Sequence, residues 1–399
     1  MTTDAARLTR SLVGFAARLH ARAGTGHHVA SPLGAWLLLA LAAPAAAGAG
    51  RDRLAGILGC DPEQAARIAA ALLEHPHPLV GCAVAAWTRP GAPPRPALSA
   101  WQAALPGGVA TGSLPGQAPL DRWARDHSFG MIDGFPVELT PAVYLVLASA
   151  LATRVSWDLP FDLAPASELG PHSPWARLGQ VLRAPRDGQR SGAHRSFIAV
   201  TREAGDTAVH VARARDGLLV ISAAAADASP AAVLAAAQHL ACAIAVDGAV
   251  PRRALADLPL GDAPLWSIRE EPARDGDTGD QLTAVLPAWS ARTRLSLGDP
   301  DLGFGLAVAA LAGPDPWQAS QVTVARYSRT GFEAAAVTAV AVLASARLPR
   351  PGLRRTAELR FGRPHAVVAV TTDRAGGPWH GVPVFSAWIA EPADAGTGE

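Results

Sequence analysis

The sequence predicts an α+β fold, and three observations lead there. Helical spacing of apolar residues and helix caps dominate the first 130 or so positions. Short β-prone runs bounded by turn residues dominate from about position 197 onward. Helices followed by strands, with no strand-helix alternation, exclude a βαβ architecture. Hydrophobic residues make up 49% of the 399 positions, ample for a sizeable core. No internal repeat or long linker divides the chain, so a single domain over 1–392 with a flexible tail at 393–399 is expected.

Each element has its own signal. Residues 4–21 carry Leu8, Leu12, Phe15 and Leu19 on one helical face. Ser31-Pro32 is an N-cap followed by Pro at the first helical position, opening a helix to about Ala43. Helices follow at 51–58 and 62–73, then an apolar run at 81–88 that suits a strand. A Pro/Gly loop covers 89–96, and 120–127 is helical until Gly130 breaks it. The run 143–152 is apolar with no period. Strands are expected at 197–201, 208–212 and 218–222, with Asp216-Gly217 as the hairpin turn between the last two. A helix with Ala-rich faces covers 230–242, and strands are expected at 282–286, 322–327, 366–371 and 382–389. Residues 274–280 and those after Pro392 are polar loops.

Composition limits the function. A formal net charge of +1 argues against nucleic acid or an anionic membrane as the main partner. Every basic residue is Arg, and Lys and Asn are absent, a pattern of strong coding bias that weakens arguments from their absence. Three scattered cysteines, Cys60, Cys82 and Cys242, fit buried free thiols better than disulfides or a zinc site. The apolar stretch 33–50 contains Pro44 and is Ala-rich, so it suits a buried helix rather than an anchor. A cytoplasmic, monomeric protein with no membrane partner is the default.

Catalytic and metal chemistry have little support. No GxSxG, HExxH, Walker A or GxGxxG pattern occurs. Asp275, Asp277 and Asp280 lack calcium-loop spacing. His75 and His77 flank Pro76 and suit a Pro-rich turn better than metal ligation, and His27-His28 suits polar core or loop. Ser113 and His194 cannot be assembled with an Asp into a triad from spacing. No enzyme, cofactor or metal is expected.

The run Gly331-Phe332-Glu333-Ala334-Ala335-Ala336-Val337-Thr338-Ala339, continuing to Ser345 and Ala346, is the most informative segment. Between Glu333 and Arg347 it holds no charge, Gly or Pro. Taken alone it suits either a buried Ala-rich helix or a central strand.

The chain as a whole resembles the serpins, a family of serine-protease inhibitors. The matches lie in order: Ser31-Pro32 with its helix; Gly50-Arg51-Asp52-Arg53-Leu54; Leu120-Asp121-Arg122-Trp123 with Ser128-Phe129-Gly130-Met131-Ile132; 145–152 followed by Ser156-Trp157-Asp158-Leu159-Pro160-Phe161; Leu286-Pro287-Ala288-Trp289; Phe361-Gly362-Arg363-Pro364; and Gly381-Val382-Pro383-Val384-Phe385. The hinge pattern Gly331-x-Glu333-Ala334-Ala335-Ala336-x-Thr338-Ala339 is the most specific. The resemblance implies helices packed on three β-sheets and an exposed reactive-centre loop. It implies a suicide substrate for a serine protease, whose cleaved loop inserts into the central sheet. It places the scissile bond near Ser345-Ala346, or at Arg347 if the loop is two residues longer, and the sheet-opening region at Ser31, Pro32, Ser149, Trp157 and Gln321. A non-inhibitory binding or carrier role is the alternative.

Several positions depart from the family pattern. Phe332 stands for a Thr or Ser and would be the first side chain to enter the sheet, where added volume is poorly tolerated. Arg329 stands for a hinge Glu and Ala288 for its Lys partner, so that ion pair is lost as a unit. Ser149 stands for an Asn, Val155 for a Gly, Gln321 for a His, His27 for an Asn and His365 for a Phe. The loop from Gly331 to Phe361 is longer than the family spacing and contains Pro349-Arg350-Pro351-Gly352.

Overall fold

The computed structural model describes residues 3–91, 93, 95–135, 143–215, 217–246, 248–272, 279–314, 316–332, 353–372 and 377–396, without the side chains of 3–6 and 190. Among these residues the strands form three sheets accompanied by α-helices. The chain divides into two compact units, one of Met1–Arg154, Ala291–Ala325 and Val370–Ser386, the other of Val155–Ser290, Arg326–Ala369 and Ala387–Glu399.

In the first unit the opening helix, Thr3–Ala23, buries Leu8, Leu12, Phe15 and Leu19 on its apolar stripe. The helix Pro32–Ala42 is buried on every side, which accounts for its lack of a polar face. The Ser31 side chain accepts from Gly34 N, the cap its sequence predicted. Asp61 caps Pro62–Glu74 in the same manner, with Pro at the first turn. The strand Leu145–Thr153 lies between two neighbours. It pairs antiparallel with Val80–Thr88, while its residues 145–148 pair in parallel with 317–320 of Trp317–Tyr327. Successive residues of this strand are buried on both of its faces, so no alternation is needed; that is the missing period of the run 143–152. Two helices of this unit, Pro96–Ala104 and Phe304–Ala312, were not foreseen. Pro96 opens a helix rather than closing a loop.

In the second unit His194–Thr201, Gly205–Ala214 and Leu218–Ala225 form consecutive antiparallel pairs. The helix Pro230–Ala245, capped by Ser229, packs on Leu218–Ala225. Leu353–Arg360 lies between Trp266–Pro272, antiparallel, and Gln281–Leu286, parallel. This corrects the loop length: the last eight residues before Phe361 are a strand, not loop. The expected tail is also tied down over its first residues. Ala393 N donates to Ala288 O at 2.7 Å, and Asp394 accepts from Gly179 N, Gln180 N and Gly396 N. Those amides hold the Asp394 carboxyl below its usual range.

Candidate functional site

Phe332 is 2% exposed, and the two-residue strand Gly331–Phe332 is already laddered on both sides. Phe332 faces Tyr327 across one edge and Val155 across the other, while Gly331 faces Ser156. The hairpin that returns the chain from Tyr327 is closed by Ser328, whose N–H and hydroxyl both donate to Gly331 O at 2.9 and 3.1 Å. The Phe332 ring stands edge-on to Trp289 at 6.1 Å, and Trp289 stacks on Tyr327 at 5.9 Å. Tyr327 also meets Trp157 at 5.0 Å and Phe161 at 5.6 Å. An aromatic seat of this kind combines large apolar burial with edge-to-face contacts of about 0.5–1.5 kcal/mol per pair. Phe332 therefore has an aromatic seat in the structure.

Trp157, expected in the sheet-opening region, belongs to this seat. Its N–H donates to Thr330 O and its indole Nε1–H to Ser328 O, both at 3.0 Å. Phe161 N donates to Arg329 O at 3.0 Å, and Arg329 Nε donates to Phe161 O at 3.2 Å. Arg329 has thus exchanged a side-chain partner for a main-chain carbonyl, and Ala288 pairs its backbone with Ala393. Of the expected hinge, only Gly331 and Phe332 are described. Glu333, Ala334, Ala335, Ala336, Val337, Thr338 and Ala339, with the scissile candidates Ser345, Ala346 and Arg347, lie outside the described residues.

Ser31, Pro32, Ser149 and Gln321 do assemble, around Gly34 in the first unit. Ser31 N donates to Gln321 Oε1 at 3.0 Å, and Gln321 Nε2 donates back to Ser31 O at 2.8 Å. This two-point clasp holds the helix start to the strand Trp317–Tyr327. The Ser31 hydroxyl donates to Val384 O at 2.9 Å while accepting from Gly34 N, and Thr323 donates to Gln321 Oε1 at 3.2 Å. A methyl on Gly34 would lie 3.3 Å from both the Ser149 and Ser31 hydroxyls and 3.5 Å from Gln321 Nε2, so glycine is required by close approach. Among the described residues, the buried Ser149 hydroxyl has no hydrogen-bond partner.

Two buried chains of the same chemistry escaped the sequence. In the second unit His194 Nε2 lies 2.7 Å from Leu159 O, His194 Nδ1 lies 3.2 Å from His210 Nε2, and His210 Nδ1 lies 3.0 Å from Ser196 Oγ. A carbonyl only accepts, so His194 carries its proton on Nε2, His210 on Nε2, and Ser196 donates. In the first unit the order repeats: Ser386 to His20 at 2.6 Å, His20 to His28 at 2.7 Å, His28 to Gly26 O at 2.8 Å. Burial pushes His20 down to about 3 and His194 to about 4, and lowers His28 and His210 as well. Both serines are buried, so neither is presented as a nucleophile. The spacing of His194 and Ser196 put them on one strand face, but His210 joins them only through the register that opposes it to Ser196.

The other candidates are accounted for locally. His75 Nδ1 lies 3.1 Å from Ala71 O, and His77 Nδ1 accepts from Leu79 N. Among the described residues no group of three metal-ligating side chains converges, and no helix is long and apolar enough to cross a membrane.

No family model and no curated protein sequence matches the chain. Solved structures do. Human thyroxine-binding globulin complexed with thyroxine superposes with a TM-score of 0.67 at 13% identity, over 98% of this chain and 100% of that one. A thermophilic serpin, Tengpin, in its native state gives 0.64 at 12% identity, over 96% and 94%. Serpin48 from the insect Tenebrio molitor gives 0.62 at 12% identity, over 98% and 100%. The chain has the serpin fold. Coverage of nearly the whole of both chains makes the resemblance one of architecture, not of a shared fragment. The segment from Gly331 onward is the one the serpin resemblance named as hinge and loop.

Proposed function

We propose that the chain inhibits a serine protease as a suicide substrate, with residues 334–346 as the strand that enters the sheet after cleavage. The observation that carries this reading is the seated hinge. Gly331–Phe332 is already paired on both edges, so the run behind it starts from an established register. Extended chain alternates faces, and the face carrying Phe332 continues with Ala334, Ala336, Thr338, Val340, Val342 and Ala344. All are small or β-branched, and none would bury a charge. Insertion over about 15 residues spans roughly 50 Å, and each ladder bond gained is worth about 1 kcal/mol net. Arg347 limits comfortable insertion, which favours cleavage near Ser345-Ala346; cleavage at Arg347 would instead select a trypsin-like target.

The chemistry in this reading is the protease's, and the chain works as a cytoplasmic monomer. Incubation with trypsin-, elastase- and subtilisin-like proteases tests it. An SDS-stable adduct, with release of a peptide beginning at Ala346 or Leu348, supports the reading. Cleavage without any adduct sinks it. The second reading, a non-inhibitory binding protein, draws on the superposition with thyroxine-binding globulin. It predicts saturable binding of a small ligand by the intact chain and no adduct with any protease.

A further inference from the structure

We infer that the Ser196–His210–His194 chain is an acid-operated catch on the hinge: while both rings are neutral the hinge strand is held in its seat, and protonation releases it. The regulation concerns the hinge named in the proposed function, but the release itself does not require a protease.

The geometry connects the rings to the hinge in two steps. His194 donates to Leu159 O and receives the Phe161 ring edge-on at 4.5 Å, while His210 lies 5.6 Å from the same ring. Phe161 donates its N–H to the Arg329 carbonyl and accepts at its own carbonyl from the Arg329 side chain, and its ring packs on Tyr327, the residue opposite Phe332. The segment from Trp157 to Phe161 is thus the clamp on the turn at Ser328, Arg329 and Thr330, and the histidines hold the back of that clamp.

A proton added to the pair reverses the chain: His194 Nδ1 becomes a donor to His210, the His210 proton moves to Nδ1, and the Ser196 hydroxyl turns from donor to acceptor. The bonds survive that reversal, but a charge is then held in two buried rings with no carboxylate among the described residues bonded to either, and that is the cost that releases the catch. Among the described residues, the rings bond only to Leu159, Ser196 and each other. The ionisable groups on surrounding elements are engaged elsewhere or are of the wrong kind. Asp158 faces Arg213 at 3.8 Å, Asp162 opposes Arg183 in register, Arg329 is on Phe161 O, and Tyr327 lies across the Phe161 ring. The helix Arg186–Ser191 brings Arg186 and Asp187 on its first turn, and its Gly188 abuts His194 so closely that a methyl there would lie 2.7 Å from the ring. Since burial depresses both histidines, the unfolded or released state binds protons more readily. The hold is complete above pH about 6.5 and is lost as pH falls toward about 4.

Hydrogen-deuterium exchange of the uncleaved full chain tests this, using peptides covering 326–332 and, as reference, the helix Pro230–Ala245. After correction for intrinsic rates, protection of the hinge amides is expected to fall at least tenfold between pH 7.5 and 5.0, while the helix keeps its protection. In His194→Gln/His210→Gln, which cannot titrate there, the hinge becomes insensitive to pH. In His20→Gln, which alters only the other chain, the wild-type response persists. Hinge protection that is unchanged at pH 5.0, or that falls only together with the helix, overturns the inference even if the double variant fails to fold. A pH response retained by a folded double variant overturns it as well. Adduct formation is scored separately at pH 7.5, so an absent adduct with an acid-released hinge counts against the proposed function alone.

Discussion

The described residues on either side of 333–352 are anchored by different kinds of force. At the entry, two residues are laddered and one aromatic ring is seated among Trp289, Tyr327 and Trp157. At the exit, the eight-residue strand Leu353–Arg360 has a neighbour on each side and is pinned by arginines. Arg354 pairs with Glu271, Arg355 donates to the carbonyls of Leu255 and Leu258, and Arg360 bonds Asp262 and Glu358. Arg183 ties Glu358 to Glu168. The exit is held by ladder bonds and charged side chains, whereas the described part of the entry is held by ladder bonds and aromatic packing.

The difference can be broken from either side. The largest effect is expected from Phe332→Ala. Loss of a fully buried aromatic costs about 3–5 kcal/mol where the site cannot collapse. Urea unfolding at pH 7.5 reads the loss, and a change under about 1 kcal/mol would mean the seat holds nothing. Next comes Arg360→Ala, at about 1–3 kcal/mol, since it strips charge-assisted bonds from a side chain only 11% exposed. Exchange at the exit strand should rise while that at 326–332 stays put; loosening of both ends together would erase the distinction.

Salt separates the two anchors without mutation. Raising ionic strength from 0.05 to about 1 M shortens the Debye length to about 3 Å. The pair of Arg354 with the half-exposed Glu271 weakens and the aromatic seat does not, so amide protection should fall at 353–360 only. Equal loss at the hinge would assign it an ionic hold it has not been given. The smallest effect belongs to Arg253→Ala, whose partner Asp206 is also partly exposed. It should shift the unfolding free energy by less than about 1 kcal/mol and leave both ends unchanged.

The sequence was most legible where a residue's role is local. Ser31-Pro32 announced its helix because a cap and a first-turn proline act within three residues. The run 143–152 showed no period and so could not be assigned from its residues; the structure makes 145–153 a strand buried along nearly all its length. The strand Leu353–Arg360 was hidden because Arg354, Arg355 and Arg360 break its apolar alternation, although partner carboxylates and carbonyls satisfy them. The bond from Arg329 Nε to the Phe161 carbonyl was not legible, because a main-chain acceptor has no side-chain signature. The histidine chains were invisible for a related reason. They depend on strand register and on contacts between distant residues such as His20 and Ser386. The aromatic neighbours of Phe332 were hidden as well, since Trp289, which meets its ring, is far away in the sequence.

The central claim is that the strand seated at Phe332 lengthens into the sheet once its far end is freed. The direct measurement is to cut the chain within 333–352 with a protease it does not trap, keep the fragments associated, and compare thermal unfolding with the intact chain. The cleaved protein should melt well above the intact one, and the amides following Phe332 should become protected from exchange. An unchanged or lower melting temperature, with those amides still exchanging freely, would contradict the account.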